Sequence, residues 1–144
     1  MSKTWTGTIA VIALIGLLAG CAVPTRDLEA VRIEGTPGKA VIYLVRTNPD
    51  LSTVSATVTL NDQLLGTTHA GTYFRVEVPA GRHRFSGYAG DSGSITLDVQ
   101  ADRVYFVRQT VAGYERSPSS LSSFFSVIDE KRARAAMVGA DRIG

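Results

Sequence analysis

From Lys39 onward, apolar and polar positions alternate with a period of two, and turn residues interrupt the pattern about every ten positions. That pattern predicts antiparallel strands with one buried face each. Residues 40–45 (AVIYLV) depart from it by being apolar on both faces, as a strand covered on both sides must be. Residues 55–60 alternate cleanly, with Ala56, Val58 and Leu60 on one face and Ser55, Thr57 and Thr59 on the other. Asn61-Asp62 supplies a turn into a strand over 63–67, because both residue types tolerate left-handed backbone angles. Residues 73–78 set Phe74, Val76 and Val78 against Tyr73, Arg75 and Glu77, and Pro79-Ala80-Gly81 ends the run. Further strands are predicted over 82–88, 94–100 and 103–111, with turns at Gly90-Asp91-Ser92-Gly93 and Ala101-Asp102. Seven such segments suffice for a two-sheet sandwich.

The pattern changes near the C-terminus. Residues 117–123 form a polar loop, 124–127 a candidate eighth, edge strand, and 128–138 favour a short helix. Ser126 and Asp129 have the spacing of a capping box, Asp129 and Glu130 suit the positive helix start, and Gly139 supplies a stop. Ala133, Ala136, Met137 and Ala140 give this helix an apolar stripe that fits a sheet. The fold class is therefore mainly β: an antiparallel two-sheet sandwich of seven or eight strands with a short C-terminal α-helix, over residues 38–140.

Residues 1–20 differ from everything after them. Lys3 is followed by IAVIALIGLL over 9–18, an uncharged run of signal-peptide length and short of the about 20 apolar residues that span a bilayer. The run closes in Leu18-Ala19-Gly20-Cys21. Those four residues resemble the lipobox of bacterial lipoprotein precursors, a branched apolar residue, two small residues and a cysteine. The resemblance implies cleavage between Gly20 and Cys21 and a diacylglycerol on the Cys21 thiol. Each buried lipid CH₂ contributes about 0.8 kcal/mol, so two or three chains anchor a protein stably. Residues 21–37 carry Pro24, Gly35, Pro37 and Gly38 and read as a lipidated N-terminus and flexible tether, with room for a helical turn or two over 27–33. Ala22 follows the cysteine where Asp would resemble an inner-membrane retention signal, which favours the outer membrane, facing the periplasm.

The strand AVIYLVR, the hairpin VTLNDQLLG, the segment GTYFRVEVPAGRHRF and the strand RVYFVR together resemble domain-of-unknown-function family 2846. Gly71, Tyr73, Pro79, Gly81 and His83 are the clearest marks. The resemblance implies a small bacterial lipoprotein with a sandwich in the style of PEGA and peptidase-regulatory-like domains. It implies no activity.

Composition narrows the chemistry. A net charge of +2 over 144 residues argues against nucleic acid, and loss of Lys3 with the signal leaves the mature chain near neutral. One cysteine excludes an internal disulfide and a cysteine-based zinc site, and two histidines are too few for a histidine-rich one. No cofactor is implied. Gly90-Asp91-Ser92-Gly93 matches the start of the trypsin-like GDSGGP motif, yet continues as Ser94-Ile95 and sits where a hairpin must turn. His69 and His83 lack carboxylates at a helpful local spacing. Arginines outnumber lysines twelve to three, and Arg75, Arg82, Arg84 and Arg108 fall in predicted strands. Arg82 and Arg84 share one face, so with the others they are candidates for an anion-binding patch. The bland alternative is a solvated sheet face with Glu77 and Asp98 as neighbours.

The expectation from sequence is a lipid-anchored envelope protein, held to the membrane by its N-terminal lipid, whose sandwich acts as a binding or adaptor module for an envelope-protein or cell-wall partner, without catalysis. A small envelope hydrolase using His83 or Ser92, and a purely structural envelope component, are the alternatives.

Overall fold

A computed structural model describes residues 25–87, 93–113 and 121–144. The signal-like run, the lipobox-like residues 18–21, Ser92 and residues 117–120 of the polar loop lie outside them. The described elements run α1 (Thr25–Ala30), β1 (Ala40–Arg46), β2 (Ala56–Leu60), β3 (Gln63–Thr68), β4 (Thr72–Val78), β5 (Gly81–Gly87), β6 (Ser94–Val99), β7 (Val104–Ala112), β8 (Ser122–Val127), α2 (Glu130–Met137) and β9 (Asp141–Arg142). They form a five-stranded sheet ordered β8-β7-β1-β4-β9 and a four-stranded sheet ordered β3-β2-β5-β6.

The mainly-β reading and the C-terminal helix hold, with two differences. The strand β9, two residues long, carries no alternation to betray it. The pairs β1–β7 and β4–β9 are parallel. The first follows because β2, β3, β5 and β6 build the second sheet before the chain returns beside β1.

β1 owes its central place to its two apolar faces, and all seven of its residues are buried. Ala40, Ile42 and Leu44 join Val58, Phe74, Phe85, Leu97 and Val107 between the sheets. Val41, Tyr43 and Val45 face the other way and pack with Phe106, Ile128, Ala133 and Met137, the last two from α2. The domain thus has three layers: four-stranded sheet, five-stranded sheet, helix. Asn61 and Asp62 take φ of 52° and 64°, the paired left-handed geometry of a tight hairpin. α2 starts two residues later than expected. Its N-cap is Asp129, whose carboxylate accepts from the Arg132 amide at 2.8 Å, while Ser126 belongs to β8, so the Ser126–Asp129 box does not form.

Residues 28–36 are not the free tether that the sequence suggested. Val31 and Ile33, two residues apart in an extended stretch, place both side chains on the helix-side cluster. The Arg134 guanidinium donates to the carbonyls of Leu28 (3.3 Å) and Val31, tying this segment to α2.

The last residue of β1 shares the inward face of Ala40, Ile42 and Leu44, yet it is Arg46, 0% exposed. Its Nε donates to Asp50 Oδ2 at 2.6 Å, and the Asp50 side chain is 1% exposed. Nη1 donates to Thr68 O (3.1 Å) and Nη2 to Ser52 O (2.6 Å). Asp50 Oδ2 also accepts from the Val111 amide at 3.0 Å. Thr68 Oγ1 donates to Gln109 Oε1 (2.8 Å), and Gln109 Nε2 donates to Ser123 Oγ (2.9 Å). Among the described residues no buried side-chain nitrogen or oxygen lacks a partner.

Removing one member of such a pair strands a buried charge. Arg46→Ala should therefore destabilise the domain by about 3–5 kcal/mol in urea unfolding. Arg46→Lys should restore only a minor part, because one ammonium cannot span three acceptors in a planar fork. A loss under about 1 kcal/mol for Arg46→Ala would show that the network carries no such weight.

Candidate functional site

The helix-side face of the five-stranded sheet carries the densest side-chain chemistry. Alternation along β1 turns Tyr43 to this face, and the register sets it beside Arg75 of β4 and Phe106 of β7. The Tyr43 ring lies 5.8 Å from Phe106 at 27° and 6.2 Å from Tyr73 at 33°, offset geometries that aromatic rings favour. α2 crosses this face and leaves a groove on each side. One, of about 430 Å³, is lined by Val31, Tyr43, Tyr73, Arg75, Met137 and Arg142 among others. The other, of about 440 Å³, includes Asn48, Arg108, Ile128, Arg132 and Ala136.

One end of the first groove is already filled by the protein's own chain. Tyr43 Oη accepts from the Glu34 amide at 2.9 Å and donates to the Glu34 carbonyl at 3.4 Å. A phenol can do both at once. Arg75 adds Nε and Nη2 to the same carbonyl, at 3.3 and 3.2 Å. Its Nη2 also donates to Thr36 Oγ1 at 2.8 Å, and Nη1 to Glu77 Oε1 at 2.6 Å. Thr36 Oγ1 closes the ring by donating to Glu77 Oε1 at 2.6 Å. Chemically this is a clamp for the main chain of an extended segment: it reads amide and carbonyl, and only Thr36 contributes a side chain to it. The Thr36 hydroxyl and the Arg75 guanidinium hold the Glu77 carboxyl below the usual carboxylate range, and the Glu77 hydrogen bond raises Arg75.

The four arginines singled out in sequence do not converge. Arg75 and Arg108 occupy the helix-side face of the five-stranded sheet, whereas Arg82 and Arg84 lie on the outer face of the four-stranded one. Both sheets and the core between them separate the two pairs, which corrects the expectation of one anion-binding patch. Arg82 pairs with Asp98 at 3.2 Å and Arg84 with Asp62 at 2.7 Å, all four side chains at least half exposed. Such pairs add little stability.

His83 is buried at the β5 start. Asn61 Oδ1 accepts from the Arg84 amide at 3.0 Å, which turns Asn61 Nδ2 toward His83 Nδ1 at 2.9 Å. Nδ1 therefore accepts, and Nε2 donates to the Pro79 carbonyl at 2.9 Å. Both ring nitrogens serve to pin two turns together. His69 is exposed, and its amide and carbonyl close a local turn with the Thr72 hydroxyl. Gly93 closes the β5–β6 hairpin through its carbonyl, which accepts from the Gly87 amide at 3.1 Å. A Cβ on Gly93 would fall 1.4 Å from the Ser123 carbonyl oxygen, so only glycine fits there. Among the described residues no three His, Cys, Asp or Glu side chains are grouped to hold a metal, and no helix is long and apolar enough to cross a membrane.

Residues 36–120 match the family described as "Protein of unknown function (DUF2846)", more than half of the chain. The chain belongs to this family. A search of curated proteins finds no match. In this DUF2846 chain the matched span holds β1 to β7 with Tyr43, Tyr73 and Arg75, whereas Glu34, α2 and Arg142 fall outside it. The clamp thus joins Tyr43 and Arg75, within the family span, to a strap of which only the last residue, Thr36, falls inside that span.

Nothing in the sequence pattern marks Tyr43 or Glu34 as clamp residues or Arg46 as the centre of a buried network. For Arg46 the pattern shows only that it continues the inward phase of Ala40, Ile42 and Leu44. For Glu34 it shows nothing, because its main chain is what is bound.

Glu77 gives the clamp an acid limit. A carboxyl with a lowered folded value contributes above its ordinary unfolded value and loses that contribution as pH falls through the lowered one. The Glu34 and Thr36 amide resonances should therefore shift together with an inflection below the ordinary carboxylate range, and Glu77→Gln should abolish it. An inflection at or above the ordinary range would contradict the geometry.

Proposed function

We propose that this DUF2846 protein is a lipid-anchored bacterial envelope protein whose sandwich works as a non-catalytic binding or adaptor module, seated at the outer membrane and facing the periplasm. The observation that carries the reading is the docked segment 28–36. Tyr43, Arg75 and Arg134 make the stretch after the lipobox part of the domain, so an anchor at Cys21 would hold the sandwich at a fixed height. A rigid mount suits a protein that presents a surface to a partner. The commitment of both His83 nitrogens to Asn61 and Pro79 also favours recognition over acid–base chemistry at that residue.

Intact-mass measurement on the membrane fraction tests the anchor. The wild-type chain should begin at Cys21 with added acyl mass, and Cys21→Ser should accumulate as an uncleaved, unacylated precursor. A mature chain beginning elsewhere, or lacking acyl mass, would end the lipoprotein reading.

The adaptor role is tested with photo-crosslinking residues at Leu64 and Thr96, both exposed on the four-stranded sheet. In intact envelopes one discrete adduct, abolished by charge reversal at neighbouring Arg84, is the expected result. No adduct at either position, with normal localisation, would argue for a purely structural component.

A further inference from the structure

The strap raises a question of orientation. Thr25, where the described chain begins as α1, lies four residues after Cys21, a distance of at most about 14 Å even when fully extended. The segment that follows does not wander. It is held by Arg134 at Leu28 and Val31, by the Val31 and Ile33 contacts, by Tyr43 and Arg75 at Glu34, and by Arg75 and Glu77 at Thr36. All of these holders sit on one side of the molecule, the helix-bearing face of the five-stranded sheet. Without them, the chain from Cys21 to the start of β1 at Ala40 could extend to roughly 65 Å.

We infer that the docked strap is a short leash that turns the helix-bearing face of the five-stranded sheet toward the bilayer and leaves the outer face of the four-stranded sheet pointing away from it. This rests on the lipid-anchored reading above. The surface against the membrane comprises α2 with Lys131 and Arg132, and the rim of the first groove with Arg32 and Arg142. The surface left free carries Arg82, Arg84, Asp62, Asp98 and Leu64. The device is mechanical. On the bilayer side, Arg32 is paired with Glu34, Arg132 with Asp129 and Arg134 with Glu130, which leaves Lys131 and Arg142 as the cations of this surface outside an ion pair among the described residues, a small charge beside the covalent hold of the strap. Geometry of the strap sets the orientation, and a zwitterionic bilayer serves as well as an acidic one.

The experiment uses the mature lipidated chain in phosphatidylcholine vesicles containing a headgroup-labelled acceptor lipid. A donor dye is placed on Lys131→Cys in one sample and on Thr96→Cys in another, both exposed positions. The three layers put these positions roughly 20 Å apart along the direction from helix to outer sheet. Energy transfer should be several-fold stronger from position 131 than from position 96, and unchanged when 0.5 M salt is added or part of the lipid is made anionic. Arg134→Gln with Val31→Ser, which removes the holds nearest the lipid, combined with Arg75→Gln, which removes those at Glu34 and Thr36, should shrink the difference by at least half. Hydrogen exchange at the Glu34 amide, measured on the same samples, should accelerate in step.

Equal transfer from both positions in the wild-type chain would overturn the inference, as would a difference that the strap variants leave untouched while Glu34 exchange rises. A difference that vanishes in salt would replace the leash with charge attraction. Failure of the acylated protein to float with vesicles would instead remove the anchoring reading itself, and the orientation with it.

Discussion

The sandwich is held shut at one end by a charge with nowhere else to go. Arg46 ends the most buried strand of the protein, and its guanidinium reaches no water. Its three hydrogen bonds go to Asp50, Ser52 and Thr68, of which Thr68 lies in the four-stranded sheet. Asp50 in turn holds the Val111 amide of β7. Desolvating two charges is unfavourable, and only complete satisfaction of every donor and acceptor repays it. That requirement couples β1, the loop after it, β3 and β7 into one arrangement, with Gln109 and Ser123 extending the demand to β8.

The same strand supplies both halves of the functional argument through its two faces. Its inward phase builds the core between the sheets, and its outward phase supplies Tyr43 to the clamp. A chain that makes β1 central has to cover both sides, and α2 alone leaves a strip of aromatic surface beside it. Val31 and Ile33 cover part of that strip, so docking of the N-terminal segment completes the third layer. The remaining grooves on either side of α2 are the places where the layer is unfinished.

How much of this was readable from residues alone depends on whether the cause was local. The period-two pattern, the Asn61-Asp62 hairpin and the apolar stripe of α2 are local, and each survives in the structure. The β9 strand and the binding of Glu34 are caused by partners far along the chain, and no nearby residue announces them. Arg75, Arg82, Arg84 and Arg108 fall between the two cases. Their strand membership was legible, but the faces they share follow from sheet order, which alternation cannot supply. Gly35 and Pro37 look like linker residues and still border a docked segment, because main-chain hydrogen bonds and two apolar contacts need no distinctive sequence.

The parallel pairing of β1 with β7 has a consequence for how the domain comes into being. The neighbour that completes the central strand on that side lies about sixty residues downstream, Val41 opposite Val104. A chain emerging from its N-terminus cannot finish its core until β7 has followed. Distant pairings of this kind slow folding and make it all-or-none. Every shorter fragment leaves the ring of Tyr43 without Phe106 and the carboxylate of Asp50 without the Val111 amide. The first strand to appear is therefore among the last to be secured.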